Sequence, residues 1–416
     1  MAYQETKKLL MVNPVSKRFS WGNVHFPSLG LPLLAASAPD WLDIELVDEF
    51  QTALNSYPYA DLVAISVLTA AAVRAYEIGD HYRELGIPVV MGGMHVSALP
   101  DEALLHADAV VIGEADELWA LVLDDFKEGR LKRLYSSTTK PDVSLLPQPR
   151  WDLVRAARRD QTKEPIYSVQ AGRGCPGGCT FCNVPDFFGR VYRRRNLESV
   201  LRDIEAIGRS RLLMVDDNLL AGRDFARELL SALKDLGKEW FGLSSLAYLD
   251  NDEILDALAA SGCKHLFIGF ETSSQENLAE VGKGSNMKRD YAGIIRRLNE
   301  RGIRVIGSFI VGLDHDTEAV FDEMYDFIER NDIYVPIVNI LTPYPGTRLR
   351  TKLEAEGRII SNDWSRYSCD EVVFKPKLMS PETLKERHHG LSEALLKRSR
   401  QRFSSGTEKS YGIHDF

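Results

Sequence analysis

The chain has 416 residues, of which 44% are hydrophobic and 27% are charged. This length suits two or more domains, and the composition is ordinary for a soluble globular protein. The net charge of −9 argues against a phosphate backbone as the principal partner, so we expect no nucleic-acid binding. The sequence shows no run of about eighteen apolar residues and no signal-peptide pattern, so we expect no membrane span and a cytoplasmic location.

Five short apolar runs alternate with helical patterns in the first third of the chain. The candidate strands are 8–13, 43–48, 61–66, 87–91 and 107–112, with helices near 29–38, 70–85 and 115–129. Strands that alternate with helices predict a parallel, doubly wound sheet whose ligand site lies at the carboxyl ends of the strands. We therefore predict an α/β, Rossmann-like domain over residues 1–130.

Small and polar residues follow three of these strands, where they would let a large flat ligand approach the backbone. They are Ser66, Thr69, Gly92, Gly93, Gly113 and Glu114. These residues alone leave open a nucleotide site or a plain scaffold. A dinucleotide is disfavoured because no G-x-G-x-x-G follows the first strand.

Two runs in this region, 91–100 and 110–116, resemble the cobalamin-binding domain that precedes many radical S-adenosylmethionine (SAM) cores. The resemblance implies that the six residues named above contact cobalamin. The chain departs from methionine synthase, however, because none of its nine histidines follows an aspartate in the D-x-H-x-x-G pattern that supplies a cobalt ligand. We therefore expect base-off cobalamin without histidine ligation, and a packing role for His95 near the predicted corrin edge.

The alternation resumes after residues 131–165, a proline-containing and basic stretch that we interpret as a linker. Six candidate strands follow, near 166–173, 211–217, 239–247, 265–271, 304–312 and 334–342, with helical patterns between them. Six such repeats resemble the partial (β/α)6 TIM-type barrel of radical SAM enzymes, over residues 166–345. Its active site is expected at the carboxyl ends of the strands. Residues 346–416 are predicted to be a helical C-terminal extension, with a helix over 381–402.

Three of the five cysteines, Cys175, Cys179 and Cys182, lie within eight positions of a glycine-rich segment. An iron–sulfur cube normally takes four thiolates, so C-x3-C-x2-C leaves one iron open. Zinc is disfavoured because no second ligand pair is present, and a simple core segment because of the glycines. The spacing resembles the radical SAM superfamily, in which SAM chelates the open iron of a 4Fe–4S cluster. Phe181 fits the aromatic position before the last cysteine.

Polar residues at the ends of later strands gain roles from the same resemblance. It implies that Asp216 and Asp217 accept hydrogen bonds from the SAM amino group, and that Glu271 binds the ribose hydroxyls. Ser308 would contact the adenine or the carboxylate of SAM. The alternative for each acid is a helix cap or a surface charge.

The implied reaction is radical C-methylation. In the family, the cluster reduces SAM to give a 5′-deoxyadenosyl radical, methylcobalamin supplies the methyl group, and a second SAM restores it. We predict a cobalamin-dependent radical SAM C-methyltransferase. A non-methylating enzyme of the same kind, such as an oxidative cyclase or a ring-rearranging enzyme, and a corrinoid carrier are the alternatives. A methylthiotransferase is disfavoured because no cysteine precedes Cys175 to hold a second cluster.

The substrate is not specified by any motif, and a small molecule or a peptide or protein would fit. Only about 70 residues follow the predicted barrel, which favours a substrate that supplies part of its own enclosure. A protein residue such as a glutamine of methyl-coenzyme M reductase is an example from the family. We also expect an electron donor such as flavodoxin or ferredoxin, and a monomer.

Overall fold

The computed structural model describes residues 6–16, 26–51, 53–157 and 166–404. These residues form two six-stranded parallel sheets and one two-stranded ribbon. The first sheet belongs to the N-terminal part of the chain and the second to the part after residue 166. The predicted order, a doubly wound α/β domain followed by a partial (β/α)6 barrel and a helical C-terminal region, is confirmed.

The first sheet has the strand order β2-β1-β3-β4-β5-β6. Its strands are β1 Lys7–Asn13, β2 Leu42–Asp48, β3 Leu62–Ser66, β4 Val89–Gly92, β5 Ala109–Ile112 and β6 Leu134–Ser136. Its helices are α1 Gly30–Ala36, α2 Ala72–Glu84, α3 Met94–Ala98, α4 Pro100–Ala103 and α5 Trp119–Lys127. The order reverses beside β1, which is where doubly wound sheets open a ligand crevice.

The apolar run in β1 is continuous because both faces of this strand are buried. Successive side chains of a strand point to opposite faces, and both faces of this sheet are covered. Leu9 and Met11 join a core that continues into the second half of the chain. Leu10 and Val12 join a separate core on the opposite face. All four side chains are fully buried.

The stretch predicted to be a linker contains regular structure. Strand β6 pairs with β5, and helix α6 (Trp151–Ala157) packs beside β2. Trp151 also lies with its ring centroid 5.0 Å from that of Tyr167, which begins the second sheet. The apolar positions of α6 are too few to show a helical period in the sequence. Residues 158–165, with part of the basic run, lie outside the described residues.

The second sheet follows chain order, with each strand pairing to the next. Its strands are β7 Tyr167–Val169, β10 Arg211–Met214, β11 Glu239–Ser244, β12 Cys263–Glu271, β13 Arg304–Val311 and β14 Val335–Ile340. The ribbon consists of β8 Gly172–Arg173 and β9 Arg193–Arg194. Parallel neighbours joined by helical crossovers make a partial barrel whose strands all end at one rim.

Several of the barrel helices begin at residues whose side chains cap them. They are α7 Val184–Phe187, α8 Leu197–Ile207, α9 Arg223–Leu236, α10 Asp252–Ala260, α11 Gln275–Glu280, α12 Tyr291–Glu300, α13 Val320–Arg330 and α14 Arg348–Ala355. The side chains of Asn196, Asn251 and Asp290 accept backbone N–H groups at the starts of α8, α10 and α12. Gly208 ends α8 in the left-handed region, at φ 63°.

Helix α15 (Pro381–Ser404) packs along the outside of the barrel, against α13 and the edge strand β14. Leu384, Leu391 and Leu395 are buried there, whereas Leu396 is 54% exposed. The segment between α14 and α15 crosses back to the first domain. There Trp364 joins the core that contains Leu10 and Val12.

Candidate active site

The cysteine loop leaves β8 through Gly174, which has φ +96°. A Cβ at Gly174 would lie 2.4 Å from the carbonyl oxygen of Val191, so only glycine fits there. A Cβ at Gly177 would lie 3.3 Å from Cys175 Sγ and 3.9 Å from Cys179 Sγ. The glycines therefore keep the space beside the sulfur atoms free of side chains.

Backbone contacts from two distant segments hold this loop at the rim of the barrel. Thr180 donates its N–H to the carbonyl of Val281 at 2.8 Å, and the N–H of Leu349 donates to the carbonyl of Thr180 at 2.9 Å. A Cβ at Gly282 would come within 2.4 Å of the Gly178 carbonyl oxygen, so the two chain segments touch. The loop is thus fixed by the segments that follow β12 and β14.

The three thiols are partly buried and lie close enough to influence one another. Burial raises the pKa of Cys179, and it raises the pKa of Cys182 to about 12. Bound iron would supply the positive charge that thiolates need at such a site. In the described part of the chain, no three His, Cys, Asp or Glu side chains converge as ligands of a single metal ion do. Three thiolates on one glycine-lined loop fit a cluster in which each binds a different iron.

Glu271 ends β12 in a strained conformation, with φ +63°, at the point where the register with β13 shifts. Its Oε1 lies 2.7 Å from the Nζ of Lys283, and both side chains are largely buried. Burial alone would lower the pKa of Lys283, but the charge of Glu271 and its hydrogen bond raise it overall. Lys283 was missed in the sequence, where its one signal is a position between Gly282 and Gly284.

The adjacent carboxylates Asp216 and Asp217 have different surroundings. Asp216 has no exposed surface, and its oxygens accept hydrogen bonds from the N–H of Ala171 at 3.0 Å and the hydroxyl of Tyr192 at 2.7 Å. Burial raises the pKa of Asp216 to about 7. Both oxygens of Asp216 thus already have partners inside the protein, and its contact with SAM stays a prediction.

Asp217 keeps an oxygen available. Burial raises its pKa to about 6, against the lowering effect of the Gly174 N–H. Its Oδ2 atom is buried and has no hydrogen-bond partner among the described residues. An unpaired buried acceptor next to the cysteine loop fits a ligand that brings N–H groups.

Two further predicted contacts lie on β13 and in the cysteine loop. Ser308 is nearly buried on β13, and its hydroxyl accepts a hydrogen bond from Asn339 Nδ2 at 3.3 Å. Phe181 is half-buried and packs against the main core. Partly exposed apolar side chains such as Leu243 and Phe267 alternate with buried residues on β11 and β12. Leu243 and Phe267 thus add apolar surface to strands that also carry polar groups such as Ser308 and Asn339, a mixture that small-molecule sites commonly show.

The strand ends of the first domain are tied together around a side chain that the sequence did not single out. The hydroxyl of Ser97 donates to the Gly93 carbonyl and accepts from the Gly113 N–H, both at 2.8 Å. Gly93 has φ +104°, and a Cβ there would lie 2.8 Å from the carbonyl oxygen of Val67. A Cβ at Gly113 would meet nothing within 4 Å. The edge at Gly92, Gly93 and Gly113, with half-buried Ser66 beside it, fits the close approach of a flat corrin.

Two residues predicted to contact cobalamin have hydrogen-bond partners inside the protein. Thr69 is nearly buried, and its hydroxyl lies 3.3 Å from Nδ1 of His95. Glu114 is also buried, because it accepts hydrogen bonds from Arg173 and Arg193 of the second half of the chain. Both side chains therefore already have polar partners inside the protein, and their contacts with cobalamin stay predictions.

His95 is fully buried, in agreement with the packing role expected for it. Its Nε2 lies 3.0 Å from the hydroxyl of Tyr76, and its ring packs edge-on against Trp364 at 5.3 Å. Burial lowers its pKa. With contacts at both ring nitrogens, His95 is not placed to reach a ligand above the strand ends.

Comparisons with known proteins agree with this architecture. The B12 binding domain family matches residues 26–123, and the Radical SAM superfamily matches residues 169–328. The chain is 31% identical over 404 residues to bacteriochlorophyllide d C-12(1)-methyltransferase of Chlorobaculum tepidum, covering 94% of this chain and 88% of that protein. It is 34% identical over 371 residues to the C-8(2)-methyltransferase of the same organism, covering 85% and 82%.

Among solved structures, the fold is similar to that of the radical SAM methyltransferase TsrM from Kitasatospora setae, bound to tryptophan and a SAM analogue. The TM-score is 0.70 at 18% identity, covering 92% of this chain and 89% of that chain. Fold and site together define an enzyme with a corrin-binding domain and a cluster-bearing barrel. The chain belongs to the cobalamin-dependent radical SAM methyltransferases, and its cofactors are a 4Fe–4S cluster, SAM and cobalamin. None of the helices described is long and apolar enough to cross a membrane.

Proposed function

We propose that this protein transfers a methyl group to an unactivated carbon of its substrate at the rim of the barrel. The observation that carries the proposal is the direct contact between the two cofactor regions. Arg173, two residues before Cys175, is hydrogen-bonded at 2.8 Å to Glu114, which follows Gly113 at the strand-end edge of the first domain. A methyl donor and a hydrogen-abstracting group must reach the same carbon in turn, and this contact supports such an arrangement.

The residues of the chain bind the cofactors, orient them and shield the reacting carbon from water. Cys175, Cys179 and Cys182 would hold the cluster, Asp217 would accept from the SAM amino group, and Glu271 would bind the ribose hydroxyls. When bound, the cluster and SAM supply hydrogen abstraction, and cobalamin supplies the methyl group. The apolar side chains of the barrel interior exclude water from the reacting carbon.

Our first candidate substrate is a residue in a peptide or protein, such as a glutamine of methyl-coenzyme M reductase. This choice is supported by the course of the chain after the barrel. Helix α15 lies along the outer side of the barrel, and the segment around Trp364 packs into the first domain. The same segment also meets the carboxyl end of β14, where the Cys369 carbonyl accepts the N–H of Ile340 at 2.7 Å, and a bulky substrate would enclose the rest of the rim itself.

A tetrapyrrole side chain is the second candidate. It is favoured by two relatives, 31% and 34% identical, both of which are named bacteriochlorophyllide d methyltransferases. Apolar side chains of the barrel strands such as Leu243 and Phe267 also suit an alkyl substituent on a planar ring.

Mass spectrometry of cells with and without the gene tests the proposal and separates the candidates. We expect a gain of one CH2 group, about 14 Da, on a protein residue in the first case and on a tetrapyrrole in the second. Cells with the Cys182→Ala variant are the matched control and should show no gain. Reconstituted enzyme that forms 5′-deoxyadenosine but neither S-adenosylhomocysteine nor a methylated product from either fraction would instead identify a non-methylating enzyme.

A further inference from the structure

Four charged side chains join the first domain to the cysteine loop. Glu114 and Asp116 lie just after β5, whereas Arg173 and Arg193 lie opposite each other on the β8–β9 ribbon. Arg173 donates to Glu114 at 2.8 Å and to both oxygens of Asp116, at 2.6 and 3.2 Å. Arg193 donates to the other oxygen of Glu114 at 2.6 Å. We call these four residues the four-charge joint.

The joint is shielded from solvent and electrically balanced, with two positive and two negative groups. The side chain of Glu114 is 1% exposed and that of Arg173 is 7% exposed. The forked contact of Arg173 with Asp116 fixes direction as well as distance, because a guanidinium binds a carboxylate in one plane. Removal of any one member would leave a buried charge without compensation.

The joint touches both cofactor regions at once. Glu114 directly follows Gly113, whose open side we assign to the corrin edge. Arg173 directly precedes Gly174 and is two residues from Cys175. The two cofactor regions are therefore connected by short backbone segments and one set of charge-assisted hydrogen bonds. This connection allows little relative movement between them.

We propose that Glu114, Asp116, Arg173 and Arg193 are positioning residues that set the separation and orientation of cobalamin relative to the cluster and its bound SAM. The substrate carbon that loses hydrogen to one cofactor receives its methyl group from the other. A misplacement of about 1 Å can cost about a hundredfold in rate, so a rigid joint has a direct catalytic consequence. The inference depends on the proposed function only through the identity of the cofactors.

The test compares two neighbouring arginines of the same strand. Arg193 reaches Glu114, whereas the side chain of Arg194 is 61% exposed, lies 3.7 Å from the exposed Glu228 and packs over the ring of Phe225 at 5.6 Å. Protein loaded with cob(II)alamin and a reduced cluster is examined by pulsed electron paramagnetic resonance, which reports the dipolar coupling between the two paramagnetic centres. We expect Arg193→Gln to broaden or shift the distance distribution, Arg194→Gln to leave it unchanged, and the conservative Arg193→Lys to retain most of it.

A second readout needs no cofactor. In the apoprotein, amide hydrogen exchange of residues 172–175 should speed up at least about tenfold in Arg193→Gln and in Asp116→Asn, and remain unchanged in Arg194→Gln. Asp116→Asn alters the more exposed acid of the joint and so provides a milder variant if Arg193→Gln fails to fold. Distance distributions and exchange rates that match the wild type in both variants would overturn the proposal. Neither measurement depends on methylation, so failure of the proposed function would be detected separately.

Discussion

Replacement of Glu271 by glutamine tests whether the buried ion pair with Lys283 stabilises the SAM side of the barrel. The two charges lie 2.7 Å apart with side chains that are 7% and 14% exposed. At an effective dielectric constant of about 20, they attract by roughly 6 kcal/mol, which offsets the cost of removing both from water. Glu271→Gln removes the attraction but leaves the Lys283 ammonium buried. We expect the free energy of unfolding to fall by about 3–5 kcal/mol.

The matched control is an ion pair of equal length at the surface. Asp326 and Arg330 on α13 are 2.8 Å apart, with side chains that are 60% and 76% exposed. Exposed pairs at this helical spacing contribute only about 0.3–0.5 kcal/mol. Urea unfolding of the apoprotein, followed by circular dichroism, compares Glu271→Gln, Asp326→Asn and the double variant Glu271→Gln/Lys283→Met. The double variant should be more stable than Glu271→Gln alone, and equal losses in Glu271→Gln and Asp326→Asn would refute the reasoning.

The same residue tests the proposed SAM contact. Glu271→Ala should weaken SAM binding to the reconstituted enzyme by about 1–3 kcal/mol, because a charge-assisted hydrogen bond to a buried partner is lost. Isothermal titration calorimetry measures the change, with Asp326→Ala as the control. An unchanged affinity would leave Glu271 with a structural role only.

Replacement of Cys175, Cys179 and Cys182 by alanine should remove the cluster and SAM cleavage while the fold and cobalamin binding persist; full iron loading of this variant would contradict the assignment. His95→Ala should leave the cob(II)alamin paramagnetic resonance spectrum without nitrogen splitting, as in the wild type, because the ring is buried away from the strand ends; splitting lost in the variant would show it to be a cobalt ligand. Burial raises the pKa of Asp216 from 3.8 to about 7, so the folded state retains a proton that the unfolded state releases. Stability is therefore lost as pH rises through this window, by about 4 kcal/mol, and Asp216→Asn should flatten that part of a urea-midpoint profile.

The sequence was informative wherever structure depends on neighbours along the chain. The apolar run of β1 predicted a strand because both faces of the sheet are covered. Asn196 caps the start of α8 by accepting the N–H of Glu198, and Gly208 ends the helix in the left-handed region, so both ends depend on local interactions. The three cysteines could also be recognised from the sequence, because all three lie on one short loop.

The sequence was less informative where contacts join distant segments. Asp216 and Asp217 have the same chemistry, but adjacent residues at a strand end point to opposite sides, and only the fold shows which one turns inward. The position of Glu114 directly after a glycine at a strand end predicted a ligand contact. Its observed partner, Arg173, lies 59 residues further along the chain and could not be predicted from local sequence. The ion pair of Lys283 with Glu271 forms where Glu271 has a positive φ, and no local sequence pattern predicts that conformation.

The return of the segment around Trp364 to the first domain has a consequence for synthesis of the chain. Trp364 donates its indole N–H to Glu102 at 2.7 Å and packs against His95, in a core that also contains Tyr76. A nascent first domain therefore emerges from the ribosome with this side uncovered, and it can be completed only after the whole barrel has been translated. An N-terminal fragment produced on its own would keep this apolar surface open to water, and with it a tendency to aggregate or to occupy chaperones.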